Sequence, residues 1–462
     1  MSGAVLLIIA YGLLLIGAAF ALFCDKVPHP NRVAALFGAF CAAGAAVAFA
    51  LADEVVAFAD MFVFNDITRF ACVFLTALLA LWLLWISDRV LGRTREAVAL
   101  ALFSVFGAAM LASAREFITF LVALELTVMP SYILVGYWTK RRKGLEGALK
   151  YFLFSVMTTM IMGYGISLLY AVSGTTMVEG LDLSNAGSLG LIGITMLAIG
   201  LFAKVAAVPF HFWSPDAYSG APGWAAAFVA TVPKAGATVA FFSIISIVYR
   251  QSDTLPIILA VISALSMIVG AFAALHQKDI RRILAYSGIV NTGYTIIALT
   301  AYGARGVEAI VAGIMFTFFY ATAIMGILMI AATEGDEVRD LAGLSKRRPA
   351  AAWALVIFLL SVIGVPPMAG FFGKLSVFLT GMDSRYWPLV IIATICSVVS
   401  TFYYLRLVHA AFFLEEKGEH TVAKGYRWGR HFFADTTLVL LTLMILSLGS
   451  LVGLLKNWFD LL

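Results

Sequence analysis

The stretch GLFAKVAAVPFHFW, residues 200–213, places a lysine and a proline near the end of a long apolar run. The run starts at about residue 189 and has the length of a helix that crosses the hydrocarbon core of a bilayer. Proline removes a backbone donor and kinks a helix, and broken helices occur at membrane depth where they line a cavity or are buried by protein. Lys204 and Pro209 therefore predict an interrupted membrane helix with a charge beside the break.

Similar apolar runs of about 20 residues recur along the whole chain. The composition is 62% hydrophobic and 12% charged, which is not typical of a soluble protein of 462 residues. The runs lack the alternating pattern of an outer-membrane barrel, so we predict an all-α integral membrane protein. About fourteen transmembrane helices are expected, at residues 4–24, 33–52, 67–87, 97–114, 117–138, 151–172, 189–209, 224–249, 255–275, 283–304, 309–332, 351–380 (interrupted), 386–413 and 434–459.

The distribution of basic residues predicts the orientation of these helices. If the N-terminus lies outside, the loops expected on the cytoplasmic side hold 22 Lys and Arg and the opposite side holds six. This asymmetry follows the positive-inside rule and puts both termini on the outer side. The first helix is expected to be retained, because residues 1–11 lack the positively charged region of a signal peptide.

Three lysines and one glutamate lie inside the apolar runs, at positions where a bilayer is expected: Lys204, Lys234, Lys374 and Glu125. Moving such a group into hydrocarbon costs roughly 2.5–3.5 kcal/mol even on lenient scales, so it indicates a function. Lysine suits proton transfer, because a desolvated ammonium loses its proton readily and an approaching carboxylate restores it. The alternatives are a structural hydrogen bond or a side chain that extends to the membrane surface. We expect Lys234 to lie deepest and Lys204 to lie within reach of Glu125.

A second broken helix is predicted at residues 351–380, where Pro366 and Pro367 precede a glycine-rich segment and Lys374. Each of the two breaks thus lies within eight residues of a membrane lysine. Kinks that only improve packing are the alternative. Paired interrupted spans in the two halves of a transporter are typical of an ion pathway, so we predict a protein that moves charge.

No redox or nucleotide chemistry is expected in this chain. Cys24, Cys41, Cys72 and Cys396 show no clustered spacing, which indicates neither iron–sulfur ligation nor a disulfide framework. Of the six histidines only His409 lies within a predicted span, so a pair of membrane haem ligands is not expected. The sequence contains no phosphate-binding glycine loop, and we predict no metal site, no cofactor and no nucleic-acid partner.

Several segments resemble the antiporter-like membrane subunits of respiratory complex I. They are LEL (124–126), PSY (130–132), ALKYF (148–152), GISLLY (165–170), KVAAVPFHFWSPDAY (204–218), GAP (220–222), KDIRRILAYS (278–287) and AGFFGK (369–374). The resemblance covers residues 90–410 and extends more loosely to Mrp-type sodium/proton antiporters. Within the family the chain most resembles subunit N, because subunit M usually has glutamate where Lys374 stands.

The resemblance implies two inverted five-helix repeats, each with a broken helix. On this chain they correspond to residues 91–250 and 251–414, preceded by three helices in 1–90 and followed by a loop and a last helix in 415–462.

It also implies roles for the membrane charges. Glu125 is expected to be the carboxylate partner of Lys204, Lys234 the central relay, and Lys374 the residue that exchanges protons with the outer side. His211, beside the first break, is expected to support the relay.

One position departs from the family pattern. Asn291, in YSGIVNTGY (286–294), stands where the family commonly has a histidine. Asparagine can orient water but cannot titrate, so the link between the second and third lysines is expected to use water, a hydroxyl such as Ser287, or His409.

These features predict a proton-translocating membrane subunit of a complex I-type NADH-quinone oxidoreductase in a prokaryotic cytoplasmic membrane. Flavin, iron–sulfur clusters and quinone are expected in partner subunits, and the partners are other membrane subunits, a peripheral redox arm, lipid and protons. The alternatives are a cation/proton antiporter subunit of Mrp type and a structural spacer that does not translocate protons. The spacer would tolerate loss of Lys234.

Overall fold

The computed structural model describes residues 3–88, 94–137, 142–183, 186–415 and 432–459. As predicted, these residues are mostly helical. In chain order the helices are α1 (Gly3–Phe23), α2 (Pro30–Leu51), α3 (Asp66–Ser87), α4 (Thr94–Ser113), α5 (Phe117–Gly136), α6 (Arg142–Ser173), α7 (Gly187–Lys204), α8 (Trp213–Gly220), α9 (Gly223–Val229), α10 (Val232–Tyr249), α11 (Leu255–Leu275), α12 (Ile280–Thr300), α13 (Tyr302–Arg305), α14 (Val307–Glu334), α15 (Leu344–Arg347), α16 (Pro349–Ile363), α17 (Ala369–Met382), α18 (Pro388–Phe413) and α19 (Phe432–Phe459).

Within the described ranges, twelve helical segments are long and apolar enough to cross a membrane, with α9 and α10 taken as one. The expected number of fourteen is not confirmed. The span predicted at 351–380 consists of α16 and α17, which have 15 and 14 residues and are each too short to cross ~30 Å of hydrocarbon alone. Parts of three loops used to predict orientation, residues 89–93, 138–141 and 416–431, lie outside the described residues.

Prolines account for three interruptions of the helices. The two predicted breaks are present, between α7 and α8 around Pro209 and between α16 and α17 around Pro366. A third break, which we did not predict, divides the span 224–249 into α9 and α10. Pro233 explains it, because proline has no N–H for the carbonyl of Val229 and its ring clashes with that carbonyl.

One compact unit comprises Met1–Leu134, Leu149–Val205 and Val232–Ile257. In it, α2 packs against α1 and α3, while α10 packs against α3, α4 and α7. Small residues bring α6 and α7 into close contact, since a Cβ on Gly165 would lie 2.8 Å from the carbonyl oxygen of Gly193. Nearer the C-terminal end of α7, Gly200 continues this contact with α6, because a Cβ there would lie 2.5 Å from Cβ of Met162.

A short hairpin in the same unit was not predicted. Strands β1 (Val55–Ala57) and β2 (Phe62–Phe64) pair antiparallel between α2 and α3. The side chain of Asn65 then caps α3 by accepting a hydrogen bond from the backbone N–H of Thr68 at 3.0 Å. Three-residue strands are too short to produce a recognisable alternation in the sequence.

The other compact unit comprises Val135–Ala148, Ala206–Thr231 and Ile258–Leu462. Its core lies around α14, which packs against α9, α12, α16, α17 and α19 and is buried along its whole apolar window. Gly373 lets α17 approach α14 closely, because a Cβ at this position would lie 3.1 Å from Cα of Phe316. An ion pair joins the start of α12 to α8, where Arg282 Nη1 lies 2.8 Å from Oδ1 of Asp216.

Candidate functional site

Lys204 is the last residue of α7, and its ammonium group contacts a polar cluster on α5 and α6. Nζ lies 3.2 Å from Oε1 of Glu125 and donates to Oγ of Ser155 at 2.5 Å. The hydroxyl of Tyr132 and the backbone oxygen of Ser155 lie at 3.5 Å. The expected contact between Lys204 and Glu125 is therefore present.

The carboxylate of this pair has a second donor. Thr159 Oγ1 donates to Oε1 of Glu125 at 2.6 Å. The Lys204 side chain is 3% exposed, whereas that of Glu125 is 28% exposed. The ammonium is thus enclosed by this chain, and the carboxylate reaches the chain's surface.

Helical spacing brings these groups together. Glu125 and Tyr132 are seven residues apart on α5, and Ser155 and Thr159 are four apart on α6, so each pair shares one helix face. The two hydroxyls on α6 were not singled out from the sequence. The four-residue spacing of hydroxyls within an apolar helix was the signal that could have found them.

Lys234 is the third residue of α10 and follows the unpredicted break. It is partly exposed, whereas Lys204 and Lys374 are 6% and 8% exposed as whole residues. By surface area Lys234 is thus less enclosed than the other two lysines, because it lies in the first turn after the break. Its greater depth in the membrane stays a prediction.

Lys374 contacts the end of α16. Its Nζ donates to the carbonyl oxygens of Ile363 at 2.8 Å and of Val362 at 3.2 Å. In a continuous helix these carbonyls would accept hydrogen bonds from residues 366 and 367, but both are prolines and have no N–H. The lysine supplies the missing donors, and the negative end of the helix dipole favours its charge.

Two further groups surround this ammonium. It donates to Oγ of Ser397 at 3.0 Å and lies 5.3 Å from the centre of the Tyr294 ring. Across the part of the chain that the structure describes, its partners are carbonyls, a hydroxyl and a ring, and not a carboxylate. Lys204 and Lys374 are thus stabilised in different ways.

His211 lies in the segment between α7 and α8 and is 7% exposed. Its Nδ1 atom is buried and has no hydrogen-bond partner among the described residues. The segment is anchored in its own unit by Val208, whose backbone N–H donates to Oγ of Ser266 at 2.9 Å. A buried imidazole therefore lies at the break around Pro209, and its Nδ1 atom makes no hydrogen bond to the described residues.

Ser287 and Asn291 lie together on one face of α12. Asn291 Nδ2 donates to the backbone oxygen of Ser287 at 2.8 Å. Ser287 Oγ lies 2.9 Å from the Tyr320 hydroxyl and also hydrogen bonds the Tyr404 hydroxyl. The two tyrosines were not singled out from the sequence.

His409, the other candidate for this link, is not part of the cluster. It is exposed on α18, with its ring stacked on Phe413 at 5.6 Å. Tyr404 and His409 are five residues apart, so they point about 140° away from each other around the helix. The structure therefore removes His409 from the candidates for a buried link.

Among residues 3–88, 94–137, 142–183, 186–415 and 432–459, no group of three or more His, Cys, Asp or Glu side chains is arranged to hold a metal ion. The four cysteines are buried and unpaired.

Residues 114–400 match the transmembrane family described as NADH:quinone oxidoreductase/Mrp antiporter. The curated NADH-quinone oxidoreductase subunit N of Rhodospirillum rubrum is 36% identical over 372 residues, which are 78% of this chain and 76% of the relative. A chain in the structure of respiratory complex I from Thermus thermophilus with bound aureothin superposes with a TM-score of 0.80 at 29% identity, over 96% of this chain and 98% of that one. A chain of the Mrp complex from Dietzia sp. superposes with a TM-score of 0.82 at 19% identity, over 98% and 94%, and is similar in fold.

Proposed function

Because the chain belongs to the NADH:quinone oxidoreductase/Mrp antiporter transmembrane family, we propose that it is a proton-translocating membrane subunit of a complex I-type oxidoreductase. The observation that carries this proposal is the enclosed Lys204 ammonium, 3.2 Å from the Glu125 carboxylate at the end of a broken helix. A charged pair at this depth is costly to keep in a membrane helix and is not needed to terminate one.

The pair has the chemistry of a proton switch. While the Glu125 carboxylate is ionised and close, it stabilises the enclosed ammonium of Lys204. When that negative charge moves away or is neutralised, the desolvated ammonium releases its proton to a neighbouring acceptor. Arginine could not act in this way, because it keeps its proton at any attainable pH.

In the same proposal, Lys234 is the central relay and Lys374 exchanges protons with the outer side. The surroundings of Lys374 support an end position, since two carbonyls and the Ser397 hydroxyl can hold the ammonium without a carboxylate.

The exposed part of Glu125 supports assembly with other subunits. Its side chain is 28% exposed on this chain, and a carboxylate facing hydrocarbon would be costly. A neighbouring membrane subunit that covers it would also bring the second charge that switches the pair. Electron transfer from the donor to quinone, with its flavin and iron–sulfur clusters, then belongs to the other subunits of the assembly.

We also propose the number of membrane spans, the repeats and the orientation of the chain. The twelve spans already take α9 with α10 as one; if α16 with α17 counts as one more interrupted span and α19 as the last, the chain has fourteen transmembrane helices, with inverted repeats at residues 91–250 and 251–414. Both termini then lie on the outer side of a prokaryotic cytoplasmic membrane.

Replacing Lys204 tests the function. In assembled complexes in inverted membrane vesicles, Lys204→Met should lower the number of protons pumped per electron, because the proton site is lost while side-chain length is kept. Lys204→Arg should lower it nearly as much. The matched control is Lys346→Met, which makes the same chemical change on an exposed helix end.

The outcomes separate the alternatives. Assembled Lys204→Met complexes that pump at the normal ratio would contradict the switch, and the same result for Lys234→Met would favour a structural spacer. Sodium-dependent proton exchange by the membrane part alone, without electron transfer, would favour an Mrp-type antiporter.

A further inference from the structure

A row of hydroxyl groups, most of them buried, crosses the second compact unit between α12, α14 and α18. On α12, Ser287, Asn291 and Tyr294 follow at intervals of four and three residues and so share one face. On α18, Ser397, Ser400 and Tyr404 follow at intervals of three and four residues and also share a face. The two faces meet, since Ser287 hydrogen bonds Tyr404.

The row starts beside Asn291. Its Nδ2 lies 2.8 Å from the backbone oxygen and 3.5 Å from Oγ of Ser287, and its Oδ1 is buried without a hydrogen-bond partner in the described chain. Ser287 Oγ contacts two phenol hydroxyls, those of Tyr320 at 2.9 Å and of Tyr404. Asn291, Ser287 and Tyr404 are 4%, 0% and 1% exposed, so this end is closed to solvent.

The row continues towards Lys374. The rings of Tyr403 and Tyr404 lie 4.5 Å apart, and Ser397 and Ser400 follow on the same helix face as Tyr404. The phenol hydroxyls of Tyr294 and Tyr403 have no hydrogen-bond partner within the described chain, so both are free to join the row.

At its end, Ser397 Oγ lies 3.0 Å from Nζ of Lys374. The Tyr294 ring faces the same ammonium at 5.3 Å. The row therefore terminates directly on a group that can accept or release a proton.

We propose that this hydroxyl row, made of Ser287, Tyr404, Tyr403, Ser400, Tyr294 and Ser397, conducts protons between the Asn291 region and Lys374 without a titrating side chain in between. The inference rests on the proposed function and names additional relay residues for it. It extends the expectation that water or a hydroxyl such as Ser287 takes part in the link between the second and third lysines.

Proton transfer along the row needs no oxidant or reductant, because every O–H bond that forms is matched by one that breaks. Each hydroxyl oxygen accepts a proton on a lone pair, forming a new O–H bond, and releases its original proton to the next oxygen as that O–H bond breaks. At Lys374 the neutral amine forms its additional N–H bond, and the resulting ammonium is held by Val362 and Ile363 until it releases a proton. Every hydroxyl is neutral before and after the passage, so no charge remains buried in the row.

A packing role alone does not account for the arrangement. Buried tyrosine hydroxyls normally have a hydrogen-bond partner, because leaving one unpaired costs roughly 1–3 kcal/mol. Here Tyr294 and Tyr403 are both 1% exposed and keep phenol hydroxyls that have no hydrogen-bond partner among the described residues, although phenylalanine would fill the same space without this cost.

Tyr404→Phe and Tyr294→Phe test the row in assembled complexes. Each removes one oxygen and keeps the ring, so assembly and electron transfer to an artificial acceptor should persist. Protons pumped per electron, measured in inverted vesicles, should fall to the ratio of a Lys374→Met complex. The matched control is Tyr286→Phe, which removes a phenol oxygen from the same helix α12 outside the row and should leave the ratio unchanged.

If Tyr404→Phe complexes do not assemble, Ser400→Ala removes a hydroxyl of the row, whose Oγ donates to the backbone oxygen of Cys396 at 2.7 Å, without altering a ring. Wild-type pumping by the assembled tyrosine variants, together with loss of pumping in Lys374→Met, would overturn the hydroxyl row and leave the proposed function standing. Wild-type pumping in Lys374→Met as well would overturn the role of Lys374 itself.

Discussion

Lys204 and Lys374 are enclosed by the protein to a similar degree but face different acceptors. The first has a carboxylate, Glu125, and two hydroxyls, whereas the second has the carbonyls of Val362 and Ile363. A carboxylate can lose its charge by protonation or move away, but a backbone carbonyl cannot. A change in the charge or position of Glu125 can therefore change the protonation of Lys204. The carbonyl groups around Lys374 offer no such change.

Lys234 provides a test at the same scale. Lys234→Met keeps length and packing but deletes the proton site, so coupled pumping should fall sharply while assembly survives. Lys234→Arg should be nearly as harmful, since a guanidinium keeps its proton. The ratio of protons pumped to electrons transferred, measured in inverted vesicles, tests both variants. Complexes of Lys234→Met that assemble and pump normally would show that this residue is not a relay.

At the scale of the element, each break leaves backbone groups that the rest of the protein must satisfy. Pro366 and Pro367 free the carbonyls of Val362 and Ile363, and Lys374 from the following helix α17 pairs with both. Gly364 allows the turn, with φ of +93° in the region that favours glycine. The position of the lysine thus depends on how closely α17 returns to the end of α16.

Gly370 tests that dependence. A Cβ at this position would overlap the Ser361 carbonyl group, so Gly370→Ala must push α17 away from α16 and carry Lys374 with it. We expect a loss of roughly 1–3 kcal/mol of stability, seen as a lower melting temperature of the complex, and reduced pumping. The control is Gly163→Ala in α6, where the nearest atom would lie 4.0 Å away. Equal melting temperatures for the two variants would contradict the close packing.

At the scale of the whole molecule, the placement of charge predicts the orientation in the membrane. In the second compact unit, Asp279 before α12 pairs with Glu337 after α14 in a β-bridge, so both segments lie at one end of these helices. The opposite end carries the short helix α13 (Tyr302–Arg305). The positive-inside rule puts the first end, which is rich in Lys and Arg, on the cytoplasmic side.

Cysteine labelling distinguishes the two ends. The four native cysteines are buried, so a membrane-impermeant maleimide should report mainly the introduced ones. Ala304→Cys, at an exposed position in α13, should react in intact spheroplasts, whereas Lys346→Cys should react only in inverted vesicles. The opposite pattern would reverse the proposed orientation.

The sequence by itself determined the class of fold, most helix bounds and the position of the membrane charges. The helix at 255–275 has the bounds expected from its apolar run, and the breaks at Pro209 and Pro366 follow from the missing N–H groups of proline. These features are local, because a bilayer demands about 20 apolar residues for a crossing and a proline acts on its own helix. The break before Lys234 was equally local and could have been read from Pro233.

Only the tertiary structure decided which side chains meet. Ser155 and Thr159 reach the Lys204–Glu125 pair, and Tyr404 meets Ser287, because particular faces of separate helices pack together. His409 lies in the same helix as Tyr404 but on another face, and it is exposed. Hydropathy states that a segment is in the membrane but not how it is rotated, since every face of such a helix is apolar enough to meet lipid. The rotation is set by small residues and buried polar contacts between helices, which exist only once the helices have assembled.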